Sequence, residues 1–241
     1  MNVVLDTYTN QPILVCAIAA KTCYSSIEPE DIEISYNDAC KLLDKVIKSG
    51  HLSVLEHVSF TFHISGVSRA LTHQLVRHRM ASYSQQSHRY VNMEIPQFVV
   101  PPTMDETITR HDGFDNCGDY ERDWYTESER KYIFEEAMRC SWQIYNELLK
   151  SGVPEEDARY VLPVACTTNI VVTMNARELL HFFEVRMCNR AQWEIRELAR
   201  RMYNECYRVA PEIIKYAGPR CWTDKCVEDK PCGNPPEKVF Q

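Results

Sequence analysis

Residues 77–90, RHRMASYSQQSHRY, place three arginines, two histidines, three serines and two tyrosines in fourteen positions, without an acid or a glycine. Those side chains bind anions. An arginine fork meets two oxygens of a phosphate or carboxylate at once, and a serine hydroxyl adds a short bond. The cations form two groups, Arg77-His78-Arg79 and His88-Arg89. If the first group ends a helix, Arg77 and Arg79 diverge by roughly 200° and can serve two different ligands. SYSQQS then reads as a loop that returns hydroxyls, amides and backbone N–H groups towards one of them. The ordinary alternative is a solvated cationic turn.

The distribution of charge weighs against that alternative. The chain of 241 residues carries 27 Lys and Arg against 34 Asp and Glu, a net charge of −7. An even spread would put about five acids between His57 and Met93. None is there, while Arg69, Arg77, Arg79, Arg89 and five histidines are. The net acidity argues against a general nucleic-acid binder, and the cleared segment argues for a local anion site. Only seven glycines occur, and they build neither G-x-G-x-x-G nor G-x-x-x-x-G-K-[ST]. Any phosphate must therefore be held by side chains.

A second constellation comprises Arg159, Asn175, Arg177, His181 and Arg186. Asn175, His181 and Arg186 fall within roughly 120° of one another on a helix, on a face that is otherwise apolar. Buried polar groups need partners. Glu178 and Glu184 are available as ordinary ion-pair partners, so a structural reading stands beside the functional one. His51, His57 and His63 are six apart, and the last lies in a strand, so no metal site is expected there. There is no G-x-S-x-G, and Ser87 and His88 are adjacent, so their side chains diverge. Cys166 and Cys188 lack an evident activating base.

The eleven cysteines include no C-x-x-C and read as reduced thiols, mostly core filler. Cys221, Cys226 and Cys232 stand in a polar, proline-containing segment. Their C-x4-C-x5-C spacing is loose for zinc and no fourth ligand is near in sequence, so no metal is expected.

The elements that must position these groups follow from periodicity. MNVVLDTYT reads as a strand, and Pro12 opens an apolar helix. Ala39, Leu42, Leu43, Val46 and Ile47 mark a second helix, with Gly50 as its C′ residue. Val58, Phe60, Phe62 and Ile64 alternate as a half-buried strand. Ser65 or Ser68 caps a helix with Val67, Ala70, Leu71 and Leu75 on one face. Residues 89–102 read as extended and 112–119 as a surface loop. A long helix follows over 127–150, then a short one stopped by Pro163. TTNIVVTMN is a strand, and two amphipathic helices complete the chain, the second running over 191–217. The expected class is α+β, one domain over 1–218 with a mostly antiparallel sheet and a helical majority. Residues 219–241 form a polar, cysteine-containing tail. No apolar run approaches the roughly 18–20 residues that span a bilayer, and no secretory signal is evident. The expected location is the cytoplasm.

Taken together, these residues resemble the flavin-dependent thymidylate synthases. The family signature is R-H-R, about seven residues, then Ser with an Arg two further on. It stands here as Arg77-His78-Arg79, MASYSQQ, Ser87-His88-Arg89. SGHLSVLEH, ARYVLP, TMNAREL, EVRM and AQWEI match in the same order, so the likeness covers most of residues 45–217. The resemblance implies a homotetramer that binds FAD between subunits and converts dUMP to dTMP. Methylenetetrahydrofolate is then the one-carbon donor and NADPH the reductant.

Carried over by position, His51 and Ser53 border the flavin, which Arg77, His78, Arg79, Gln85, Asn175, Ala176, Arg177 and His181 also contact. Gln74, Leu75, Val76, Arg77, Gln85, Gln86, Ser87, His88, Arg89 and Arg159 hold dUMP. Arg186 sits at the uracil ring as the catalytic cation. There it would stabilise an N3-ionised pyrimidine and activate C5. No cysteine lies in the cationic stretch, so reduced flavin is expected to deliver hydride without a protein nucleophile. The family usually has Glu at Gln85 and Gly at His88, and often Asn at His181 and His at Arg190. A non-catalytic nucleotide- or RNA-binding module using the same arginines is the competing class. A metal-dependent phosphohydrolase is disfavoured for want of paired carboxylates.

Overall fold

The structure, a computed structural model, describes residues 1–105, 127–222 and 226–238. The expected loop at 112–119 lies outside these residues, as do parts of the tail. In chain order the elements are β1 (Asn2–Tyr8), α1 (Pro12–Thr22), α2 (Tyr36–Lys48), β2 (Ser59–Ser68), α3 (Arg69–Leu75) and β3 (Ala81–Gln85). They continue with α4 (Glu127–Lys150), α5 (Glu155–Ala158), β4 (Thr167–Asn175), α6 (Ala176–Arg186), α7 (Trp193–Val209) and α8 (Pro211–Ile214). This is the expected α+β class with a helical majority. Among the described residues no helix is long and apolar enough to cross a membrane.

The backbone groups into two compact units. The first comprises residues 1–67, 71–85 and 169–241; the second comprises 68–70 and 86–168.

In the first unit the strands form a four-stranded sheet in the order β1-β2-β4-β3. β1 pairs antiparallel with β2, Val3 opposite Ile64, and β3 pairs antiparallel with β4, Ala81 opposite Met174. At the central seam Thr61 and Thr173 hydroxyls meet at 2.9 Å, and Ala176 N–H donates to the Val58 carbonyl at 2.7 Å. Both pairs have the same residue-number sum, which makes this seam antiparallel too. The period of two puts Phe60, Phe62 and Ile64 of β2 and Ile170, Val172 and Met174 of β4 on buried positions. Leu43 and Ile47 of α2, Phe182 and Phe183 of α6, and Leu198 and Met202 of α7 complete the same core. Each large side chain buried there contributes about 1.5–3 kcal/mol.

In the second unit α4 supplies Trp142 and Tyr145 to a smaller core with Met93 and Cys166. Trp142 Nε1 donates to the Met93 carbonyl at 2.7 Å, and Met93 N–H donates to Tyr145 Oη at 3.3 Å. A chain segment without regular structure is thus held through both of its backbone groups. The expected extended run over 89–102 is mostly turn and bend, with a single bridge from Phe98 to Cys166.

Other departures have local causes. β2 runs on to Ser68, so Val67 belongs to the strand and not to the helix face. The first N–H groups of α3 go to backbone, Arg69 to the Cys166 carbonyl and Ala70 to that of Val164, both at 3.0 Å. The expected helix over 191–217 is broken at Ala210 (φ −144°, ψ 55°). Pro211 bars the α conformation from the residue before it and restarts the chain as α8.

Gly50 ends α2 as expected. Its φ is +78°, its N–H donates to the Ile47 carbonyl, and His51 N–H donates to that of Val46. This is the Schellman arrangement. A Cβ at Gly50 would meet nothing within 4 Å among the described residues, so a substitution there tests backbone strain. Gly50→Ala should cost about 1–2 kcal/mol, read from the urea midpoint. Phe62→Ala should cost about 3–5 kcal/mol through its cavity.

Candidate active site

In the first unit the site is built where α3 runs into β3 and where β4 runs into α6. α3 ends at Leu75, so Arg77-His78-Arg79 lies beyond the helix, and the 200° divergence expected of a helical end does not apply. The stretch alternates instead: His78 is buried, while Arg77 and Arg79 are exposed. Tyr83 fixes that geometry. Its hydroxyl reaches the Leu75 carbonyl at 2.9 Å and that of His78 at 2.7 Å. Tyr83 lies on β3, because SYSQ, read as loop, is the end of an edge strand. Its polar side chains hid that from a hydrophobic-periodicity reading.

Asn175 caps α6, its Oδ1 accepting from Glu178 N–H at 2.8 Å. The N-cap spacing delivers Glu178 to the third position of the helix. There its side chain, only 11% exposed, lies 3.1 Å from Nδ1 of His78, whose side chain is 5% exposed. Arg186 Nε donates to His78 Nε2 at 3.0 Å, and its Nη2 to the Gln74 carbonyl at 3.4 Å. An arginine N–H can only donate. His78 Nε2 must therefore accept, and Nδ1–H must donate to Glu178. The ring is neutral in this arrangement. Burial lowers the His78 pKa, Arg186 adds to the lowering, and the Glu178 bond opposes it. Phe182 packs edge-on against the ring at 5.0 Å, and His181 stands at 5.8 Å.

Arg186 is half-buried, and burial lowers its pKa from the ordinary arginine value. Its two bonded partners, an imidazole nitrogen and a carbonyl, are neutral. Among the described residues no carboxylate pairs with it directly, so its charge remains available to a ligand.

Beside this chain lies a cleft of about 690 Å³ whose walls include Leu52, Met80, Asn175, Arg177 and His181. Arg177 pairs with Glu56, and Arg220 with Glu184, so these cations are already matched. Glu178 and Glu184 thus part company, the first buried on His78 and the second at the surface. His51 and Ser53 flank Leu52 and are exposed, as is Val76, whereas Leu75 and Ala176 are wholly buried. The last two can offer a ligand only backbone atoms. Gln85 Nε2 donates to Thr72 Oγ1 at 3.1 Å. The side chains of Arg77 and Arg79 make no hydrogen bond or ion pair among the described residues.

The second unit holds Gln86, Ser87, His88, Arg89 and Arg159. Thr168 Oγ1 reaches the Gln86 carbonyl. Ser87 Oγ accepts from Arg89 N–H at 3.2 Å, and Arg89 pairs with Glu156 at 2.5 Å. Arg159 Nε donates to the Glu156 carbonyl at 2.9 Å. His88 is 6% exposed, and its Nε2 has no partner among the described residues. Burial, then the charges of Arg69 and Arg159, lower its pKa against a hydrogen bond to the Thr167 backbone. The ring N–H goes to the Thr167 backbone, so Nε2 of the neutral ring is an acceptor, and the positive charge that suits an anion here comes from Arg69 and Arg159.

Sequence reasoning placed Glu178 among ordinary ion pairs. The signal that distinguishes it is the Asn175–Glu178 capping interval, which directs its side chain into the fold.

Residues 4–212 match the family model described as thymidylate synthase complementing protein. The protein named flavin-dependent thymidylate synthase of Geobacter sulfurreducens is 46% identical over 232 residues, covering 95% of this chain and 91% of that one. The protein of the same name from Clostridium tetani is 45% identical over 234 residues, with the same coverage of each. That of Pyrococcus furiosus is 42% identical over 232 residues, covering 92% and 86%.

The lowered pKa of His88 has a consequence for stability. The unfolded state takes up a proton near the ordinary value of 6.5, and the folded state does so only at lower pH. The stabilisation is therefore complete above 6.5 and is lost as pH falls below it. The thermal midpoint should fall as pH is lowered from about 7 to about 5, and His88→Gln should flatten that slope.

Proposed function

The chain belongs to the flavin-dependent thymidylate synthase family, and from this we propose that it makes dTMP by reductive methylation of dUMP. FAD is the cofactor, methylenetetrahydrofolate the one-carbon donor and NADPH the reductant. The enzyme works in the cytoplasm as a homotetramer. Residues 1–218 form its catalytic domain and 219–241 a tail. The observation that carries the catalytic assignment is Arg186, a half-buried cation whose bonded partners are neutral.

The residues fit a flavin dinucleotide. A glycine-poor chain must hold its phosphates with side chains, and Arg77 and Arg79 are exposed with no partner among the described residues. Asn175, Arg177 and His181 line a cleft large enough for a ring system, with His51, Ser53 and Gln85 completing the proposed set. When bound, FAD supplies hydride transfer.

The rest of the work falls to the chain. Gln74, Gln85 to Arg89 and Arg159 bind the nucleotide. Arg186 stabilises the negative charge of an N3-ionised uracil and so raises the electron density at C5. It acts as a fixed cation that need not reorient during reaction. His78 holds its Nε, and Glu178 holds the tautomer of His78, which makes both positioning residues. No protein nucleophile is assigned. Burial pushes the Cys16 thiol up to about 12, the Cys166 thiol up to about 11 and the Cys206 thiol well above its ordinary value. None of these three is a thiolate at neutral pH. Ser87 Oγ is engaged in a local turn.

The test is turnover of dUMP to dTMP with methylenetetrahydrofolate and NADPH, together with the absorbance of bound flavin and its nucleotide-dependent reoxidation. A purified chain that binds no flavin and forms no dTMP would sink the reading. Arg186→Lys keeps a charge but loses the planar fork. It should lower kcat on the order of 10²-fold while flavin content stays near wild type. Equal loss of flavin and activity would make Arg186 structural.

Each of Cys16→Ala, Cys166→Ala and Cys206→Ala should retain dTMP formation, as should Ser87→Ala, whose defect should lie mainly in KM for dUMP. A covalent protein–dUMP adduct trapped in turnover and mapped to any side chain would refute a mechanism without a nucleophile.

A further inference from the structure

The polar tail carries Cys221, Cys226 and Cys232, a loose triplet without a fourth partner nearby in sequence. The fold supplies one. After α6 the chain turns through Cys188, Asn189 and Arg190, and the tail returns to that turn through several bonds. Arg190 Nη1 donates to the Lys230 carbonyl at 2.7 Å, and Arg190 Nε pairs with Glu228 at 3.3 Å. Asn189 Nδ2 donates to the Asn234 carbonyl. Cys232 Sγ reaches the same carbonyl at 3.3 Å, which brings its thiol beside the neighbour of Cys188. On the other side Trp222 Nε1 donates to the Pro236 carbonyl at 2.7 Å. Trp222 also packs edge-on against Tyr203 at 6.0 Å, anchoring the turn that holds Cys221 to the core.

We propose that Cys188, Cys221, Cys226 and Cys232 form a tetrathiolate site for one zinc ion, fastening the tail to the turn between α6 and α7. Glu228, two residues after Cys226, pairs with Arg190, two residues after Cys188, and Trp222, next to Cys221, is tied to Pro236, so all four cysteines lie in or beside segments bonded to one another. Four thiolates repel, and a divalent cation at their centre reverses that cost.

Among the described residues no three such groups already surround one point at ligand distance. Zinc binding must draw the sulfurs in to bonds of about 2.3 Å, with four thiol protons released to solvent. Cys226 and Cys232 are exposed and lie outside any helix or strand, so this movement disturbs no packed element. Zinc suits an all-thiolate, redox-inert structural site. The site uses none of the residues assigned to nucleotide or flavin.

The full chain, expressed with zinc and purified under reducing conditions without chelator, should contain one zinc per chain by elemental analysis. Exchange for Co²⁺ should give the visible bands of a tetrahedral thiolate complex at wavelengths beyond flavin absorption. Cys226→Ser and Cys232→Ser should each lose the zinc and those bands, with unchanged far-UV circular dichroism and flavin content as proof of folding. Cys140→Ser, an exposed cysteine elsewhere, should keep both. Wild-type protein without zinc or Co²⁺ bands overturns the proposal. So does iron in place of zinc, or equal metal content in wild type and the two tail variants.

Discussion

Arg186 can carry an available charge in a half-buried position because its hydrogen-bond needs are met by groups that do not neutralise it. An imidazole nitrogen and a main-chain carbonyl take its N–H groups, and the nearest carboxylate of that network, Glu178, acts one residue removed, through His78. Direct pairing with Glu178 would have cancelled the charge; no partner at all would have made its burial too costly. Much of the surrounding structure serves this compromise. Asn175 starts α6 at the residue that turns Glu178 inward. Tyr83 holds the carbonyls of Leu75 and His78, so the turn that presents His78 does not collapse. Phe182 packs edge-on against the ring.

The same economy explains the scarcity of glycine. Phosphate-binding loops expose backbone N–H groups and need glycine to bring that backbone close. Here the first N–H groups of α3 bond to the carbonyls of Cys166 and Val164, and Asn175 caps α6. These helix starts spend donors on the fold. What the fold leaves exposed for an anion are Arg77 and Arg79, whose side chains have no partner among the described residues. Side chains allow the two tasks to be separated: His78 faces inward to organise Arg186, while Arg77 and Arg79 on either side face outward.

Much of this was legible in the chain. The strand of Phe60, Phe62 and Ile64, the 24-residue helix α4, the Gly50 terminus and the strand before Asn175 all announce themselves through side-chain period and terminators. The cationic stretch was legible by composition, because an acidic chain had removed its acids there. What failed were features set by partners distant in sequence. β3 is polar and short, and it becomes a strand only because β4 pairs with it. Val67 follows a strand pattern that outruns the serine read as a cap. Glu178 looked like any surface acid until His78, 100 residues away, gave it a buried partner. The turn that holds Cys188 likewise meets the tail only through hydrogen bonds of Asn189 and Arg190 that sequence spacing does not reveal.

The central seam of the sheet joins Thr61 to Thr173, 112 residues apart. During synthesis β1 and β2 can pair as soon as both have emerged, but the inner edge of β2 must wait for β4. At ribosomal rates of 5–20 residues per second, that wait is roughly 5–20 s. Throughout it, a strand bearing Phe60, Phe62 and Ile64 stands with open backbone donors and acceptors and half its apolar cover missing. Such an edge is a template for pairing with other chains. The nascent protein therefore carries an open strand edge for an interval fixed by strand order, which ends only once β4 has emerged to pair with it.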